Sequence, residues 1–477
     1  MRADARAYLE RAKNGEIDFA EFARKFYEKA KKLNERYGFF ITLNDFERFA
    51  SVKFEEKLFG LPVSIKDNIC TKDMRTTAGS NILRDYVPPF DATCVEKIKE
   101  ANASIIGKTA MDEFGFGSFT TNCAFVTPKN PWDESRTCGG SSGGAAGFVA
   151  AMDMPTVALA ESTGGSISCP ASFCGVVGLT PTYGLVSRWG LIDYACSLDK
   201  IGCIGKSVYD VALVLSVIAC HDERDSTSLN IEQRDYTKHL DEAPRKIKAA
   251  IPKEYTENLN PKVERAFWDA VDKLEREGFL CRKVSLPHTK YALASYYIIA
   301  CSEASTNLAK FCGIRYGLEL EFSEENFERY FSRVRSEGFG EEAKRRIILG
   351  TFARMAGYRN KYYLKAMRIR TLIINEFKRV MKNFDCILSP TMPILPPRFE
   401  EIEKLSPLEA YRCDVLTTPV NLAGLPHLSL PCGFATEHDS KLPVGMHVIC
   451  DHLEEEKLLK ISRSIEKILG WEYGPEA

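Results

Sequence analysis

The sequence predicts an α/β fold, and three observations predict it. From about residue 39, short apolar and β-branched runs (FFITL, LPVSI, ASIIG, TVALA) alternate with helix-like stretches at 93–101 and 207–219. This is the order of strands and helices laid down in turn. Gly, Ser, Thr and Cys crowd residues 115–205, where glycine permits sharp turns and close backbone approach to a ligand. No internal repeat or low-complexity linker interrupts the 477 residues, which favours one large domain, 1–477, over a string of small ones.

Taken in order, residues 1–36 mix acids and bases among periodic Ala, Leu, Phe and Tyr, and predict one or two outer amphipathic helices. Residues of about 58–220 hold the glycine-rich segments and predict the catalytic core. From about 253 to 384 the chain is highly charged and predicts a mostly helical section laid over the sheet. Residues 385–477 return to short apolar runs (CILSP, HLSLPCG, MHVIC) and end in a helix at 453–469.

Composition excludes several classes. Hydrophobic residues make up 45% and charged residues 27%, the balance of a globular protein. Lys plus Arg (64) nearly equals Asp plus Glu (65), so no global field draws the chain to nucleic acid or an anionic membrane. The longest apolar stretch, 211–219, is far below the roughly 20 residues of a membrane span. The first residues, MRADARAYLERAKNGEID, carry no apolar targeting segment. The sixteen cysteines are scattered without a CxxC pair, which predicts free thiols in a reducing compartment. A cytoplasmic chain is expected.

Several chemistries compete for the glycine-rich segments. Gly107-Lys108-Thr109 lacks the upstream glycine of a phosphate loop, because Asn102 stands there, and Gly115-Phe116-Gly117 lacks the third glycine of a dinucleotide fingerprint at Thr120. The run Gly140–Gly144 fits the GxSxG spacing of a nucleophile elbow with Ser142 at its tip, but no β run precedes it. A flexible linker is the bland alternative. A second loop, Thr163-Gly164-Gly165-Ser166, follows the apolar run TVALA, and Ser166 lies 24 residues after Ser142. Upstream, LPVSIK ends with Lys66, which alone reads more readily as a solvated surface group.

Together these segments suggest acyl transfer. A serine hydroxyl needs a neighbouring base, and the first 220 residues contain no histidine. Lysine can serve when desolvation favours its neutral form. Thr163, Gly164 and Gly165 would supply backbone N–H groups to an oxyanion.

At this point GGSSGG, the TGGSI loop and PASFCGVVGLTPTYGLVSRWGL resemble the amidase signature family, over about residues 58–470. The resemblance implies a central mixed β-sheet flanked by helices on both faces, and a Ser–cis-Ser–Lys triad. By it, Ser166 is the nucleophile, Ser142 the bridging serine with a cis peptide, and Lys66 the base. LFGLPVSIKDNI, GKTAMDEFGFGS, YYIIACSEASTNLAK, GFGEEAKRRIILGTF, YYLKAMRIR and LTTPVNLAGLP are similar to the glutamine-hydrolysing branch of the tRNA-dependent amidotransferases.

That branch implies hydrolysis of glutamine to ammonia, with neither cofactor nor metal in this chain. A partner B subunit would use ATP and Mg2+ to amidate a misacylated tRNA, and a small C subunit would clamp the pair. A zwitterionic amino acid needs a cation and an anion; the resemblance assigns Arg346 and Asp414, with Tyr297 lining the pocket. Without the resemblance, Arg346 and Asp414 read as charges on solvated faces. A free-standing amidase on small or fatty amides, or a scaffold with a degenerate site, are the alternatives. The second loop departs from the usual DTGGSIRQP, since Ser162 replaces Asp and Ser168 replaces Arg, and Glu161 stands one place before the lost acid.

Overall fold

The computed structural model describes residues 4–55, 57–242, 246–322, 326–471 and 474–475. Among the described residues, eleven strands form one sheet: β1 (Phe40–Leu43), β2 (Pro62–Lys66), β3 (Ser104–Thr109), β4 (Val157–Ser162), β5 (Val177–Thr180), β6 (Lys200–Gly205), β7 (Lys248–Pro252), β8 (Leu280–Val284), β9 (Cys386–Pro390), β10 (His427–Glu437) and β11 (Ser440–Ile449). Their spatial order is β1-β3-β2-β4-β6-β5-β10-β11-β9-β7-β8. β2 runs parallel to β3 and β4, and β7 runs parallel to β8 and β9. The other neighbours are antiparallel, so the sheet is mixed.

Strand side chains alternate between faces, and here they feed separate cores. Val63, Ile65, Leu159, Ile201, Cys203 and Leu179 pack with the helices Val208–Ile218, Pro261–Arg276 and Glu455–Leu469. The alternate residues Ala158, Ala160 and Ile204 pack with Phe26, Phe39 and Phe148 on the other side. Farther along the sheet, Ala250, Ile387 and Ile449 meet the helices Ala292–Asn307 and Tyr363–Met381. Helices therefore cover both faces. Lys66 and Ser64 share the parity of the second face, opposite to Val63 and Ile65.

Local chemistry sets the boundaries. Ser207 and Asp210 form a reciprocal capping box at the start of Val208–Ile218, satisfying backbone donors that a helix start leaves free. Gly175, at φ 67°, ends the helix Ser168–Cys174 in the left-handed region and lets β5 begin two residues later. His438 and Asp439 both have positive φ, which makes the tight turn between β10 and β11.

The N-terminal segment, whose residues 1–3 lie outside the described residues, holds the helices Ala5–Lys13 and Phe19–Tyr37. The section 253–384 is mostly helical, and it also holds β8, which its sequence did not announce. LCRKV mixes charge and apolar residues on a half-exposed edge, so pairing with β7 rather than burial pattern defines it. Among the described residues, no helix is long and apolar enough to cross a membrane.

Candidate active site

Lys66 is the last residue of β2, and its side chain is fully buried. Its Nζ donates to Ser141 Oγ at 2.7 Å, to the Glu161 backbone carbonyl at 2.9 Å and to Glu161 Oε2 at 3.0 Å. An ammonium has three protons, and all three find acceptors. The parallel register of β2 with β4 carries Lys66 toward Glu161, near the end of β4.

The lysine contact corrects the expectation for Ser142. The cis peptide is Gly140–Ser141, and the hydroxyl on Lys66 is that of Ser141. Ser142 is the residue before the helix Gly143–Ala151, and its Oγ donates to the Glu161 carbonyl at 3.3 Å. Two adjacent serines present their side chains to different partners. The resemblance carried the bridging role to Ser142, one residue too far along GGSSGG, whereas the backbone at 140–141 decides which hydroxyl faces the lysine.

Ser166 sits on the turn between β4 and the helix Ser168–Cys174, and 6% of its surface remains accessible. Among the described residues, the N–H groups of Gly164, Gly165 and Ser166 donate to no backbone carbonyl, which leaves them for an anion. A Cβ on Gly164 would stand 2.5 Å from Tyr296 Oη, and one on Gly165 would stand 2.4 Å from Thr417 Oγ1. A side chain at either place would force its neighbour or the loop to shift. The Thr163 hydroxyl lies 2.7 Å from both Glu161 Oε1 and Asp199 Oδ1.

The expected amino-acid pocket is contiguous with this centre. Arg346, on the helix Glu341–Arg354, is buried; its Nε donates to Glu342 at 2.8 Å and its Nη1 to Tyr194 Oη at 2.7 Å. Its guanidinium lies over the rings of Phe116, Tyr297 and Tyr411 at 5.1, 5.1 and 5.3 Å, a desolvated cation held by π faces. Asp414 accepts from Ser118 Oγ at 2.8 Å and from Tyr297 Oη at 2.7 Å. Burial pushes its carboxyl above the usual range, and those two donors with Arg346 pull it back. Thr417, beside Gly165, donates to the Asp414 carbonyl. Gly115 links the halves, since a Cβ there would touch Ser141 Oγ, Glu161 Oε2 and Tyr194. Neither Arg346 nor Asp414 is a charge on a solvated face.

Ser141, Asn68, Ser118, Tyr194 and Asp199 were not legible as site residues in the sequence. The one available signal was Glu161, an acid inside the apolar run TVALAES; it accepts from both Lys66 and Asn68. Ser162 and Ser168 are buried, and among the described residues neither hydroxyl has a partner.

The family model described as Amidase matches residues 21–459. The A subunit of the glutamyl-tRNA(Gln) amidotransferase of Halothermothrix orenii is 45% identical over 95% of this chain and 94% of its own. The A subunit from Carboxydothermus hydrogenoformans is 46% identical over 97% of this chain and 96% of its own. The crystal structure of the corresponding A subunit from Thermotoga maritima superposes with a TM-score of 0.79 at 40% identity, covering 95% of this chain and 93% of that one.

Proposed function

We propose a function from one premise: this chain belongs to the amidase family. It is the glutamine-hydrolysing subunit of a tRNA-dependent amidotransferase, and it supplies ammonia for converting Glu-tRNA(Gln), Asp-tRNA(Asn) or both to the amidated form. The full-length similarity to named A subunits supports this reading. B and C subunits are its partners. The B subunit binds ATP and Mg2+ and the tRNA, and the present chain needs no cofactor of its own. The work takes place in the cytoplasm.

The observation that carries the chemistry is the 2.7 Å contact between Lys66 Nζ and Ser141 Oγ, with Lys66 also bonded to Glu161, two residues before the Thr163–Ser166 loop. Lys66, as the neutral amine, accepts a proton from Ser141, which accepts one from Ser166 as its Oγ attacks the glutamine carboxamide carbon. The tetrahedral oxyanion forms against the N–H groups of the Thr163–Gly164–Gly165 turn. Collapse expels ammonia with the returned proton and leaves a glutamyl ester on Ser166, which water hydrolyses by the same relay. Arg346 holds the substrate carboxylate and Asp414 its ammonium, with Tyr297 between them. In the assembled complex, Ser166→Ala should abolish glutamine-dependent amidation and preserve amidation from ammonium salts. Loss of both would refute this division of labour.

A further inference from the structure

A hydroxyl carries one proton, and this limits what Thr163 can do. Its Oγ stands 2.7 Å from Glu161 Oε1 and 2.7 Å from Asp199 Oδ1. It donates to one carboxylate, and the other can approach so closely only by donating to it. One of the two acids therefore holds a proton. Glu161 Oε2 already accepts from two donors, Lys66 Nζ and Asn68 Nδ2, the pattern of an acceptor oxygen. Among the described residues, Asp199 has no cation as a hydrogen-bond partner. Its Oδ2 accepts from the N–H groups of Tyr194 and Ala195 at 2.8 and 2.9 Å, which leaves Oδ1 as the oxygen that carries hydrogen toward Thr163.

We propose that Asp199, protonated, Thr163 and Glu161 form a buried relay that acts through Lys66, and that Glu161 takes the lysine proton to free the amine. The step is Lys66–NH3+ with Glu161–COO− giving Lys66–NH2 with Glu161–COOH. No net charge appears in the buried site, so the transfer escapes the penalty of creating an isolated ion there. Glu161 is a positioning residue, because it touches the base and not the substrate. The inference rests on Lys66 being the base of the proposed hydrolysis.

The surroundings agree with this proton count. Burial, then repulsion by Glu161, holds the Asp199 carboxyl well above the usual carboxylate range. The other charged groups facing the relay are Asp193 before β6, Lys200 on β6 and Asp112 after β3. Arg188, Tyr183 and Cys196 face Asp199 from the β5–β6 segment. Two buried lysines without such a relay show the alternative: burial lowers Lys108 to about 8 and Lys200 to about 7.

Two measurements on the full-length protein test the relay. The first is the pH dependence of Ser166 labelling by a fluorophosphonate, with Ser166→Ala as the unlabelled control. Wild type should vary by less than about twofold between about pH 6.5 and 8.5, because the proton is exchanged internally. Glu161→Gln cannot take the proton, so its rate should rise about fivefold or more over that range, as a lysine releasing to solvent requires. An equally flat profile in Glu161→Gln would overturn the proposal.

The second is infrared difference spectroscopy of wild type against Asp199→Asn at neutral pH. It should show a protonated-carboxyl band in wild type that the variant lacks, since the Asn amide donates to Thr163 as the acid does. Absence of that band overturns the proton count even where Glu161→Gln does not fold. A band present while Ser166→Ala still hydrolyses glutamine would instead sink the proposed function.

Discussion

The Tyr297 hydroxyl donates to the buried carboxylate of Asp414 at 2.7 Å, while the guanidinium of Arg346 lies 5.1 Å from the centre of the same ring. One aromatic side chain thus separates a desolvated cation from a desolvated anion. Without the Tyr297 hydroxyl the Asp414 carboxyl, already raised by burial, rises further and protonates more readily as pH falls. Tyr297→Phe should raise KM for glutamine about 10-fold, with the defect growing toward acid pH and kcat changed little. Steady-state kinetics across pH checks this, and a KM ratio that is constant with pH would contradict it.

Arg346 meets Glu342 and Tyr194 through separate nitrogens, leaving a flat, forked donor that lysine lacks. Arg346→Lys should keep the charge and still raise KM about 10- to 100-fold, with a smaller effect on kcat. A KM near that of wild type would place the substrate carboxylate elsewhere.

The serine pair gives the sharpest test of the corrected assignment. Ser141→Ala removes the hydroxyl on Lys66 and should lower kcat about 100-fold or more. Ser142→Ala removes only a 3.3 Å bond to a carbonyl that Lys66 also uses, and should cost less than about threefold. The reverse ranking in a glutaminase assay would restore Ser142.

Gly164→Ala puts a methyl group 2.4 Å from the Tyr296 ring and 2.5 Å from its hydroxyl. The loop must shift, at a cost of about 1–3 kcal/mol, and its N–H groups shift with it. Activity should fall about 100-fold while thermal unfolding moves by only a few degrees. Retained activity would show that the turn holds no oxyanion.

Lys200 is fully buried, and among the described residues its Nζ has no hydrogen-bond partner. Burial, then Arg370, lowers it from 10.5 to about 7. The unfolded chain keeps that proton up to about pH 10.5 while the folded chain has released it above about 7, so stability from this group rises with pH across that window. Lys200→Met should be more stable than wild type by about 2–5 kcal/mol at neutral pH, with the gap closing toward pH 10. Thermal denaturation at both ends measures it.

Much of this molecule was legible in its residues, for stated reasons. Apolar runs such as LPVSI and TVALA became β2 and β4 because a short, nearly continuous apolar run suits a strand buried on both faces. The mixed order of the sheet was implied only by family resemblance, and β8 was invisible because an edge strand needs no distinctive pattern. Lys66, Ser166 and the Thr163–Gly165 turn stood out because serine without histidine demands an amine, and because glycine marks crowded backbone. Arg346, Asp414 and Tyr297 came from resemblance alone. Their spacing along the chain carries no sign that one ring would join them.

Residue types and local spacing by themselves determined which chemistry was available: an amine, two serine-bearing glycine loops and an acid misplaced in an apolar strand. Which serine meets the lysine, and which acids share the threonine, only the tertiary structure decided. Adjacent side chains such as Ser141 and Ser142 differ by a backbone rotation, and contacts such as Thr163 with Asp199 join residues far apart in sequence. Such pairings are set by how strands and loops pack, and no local pattern encodes them.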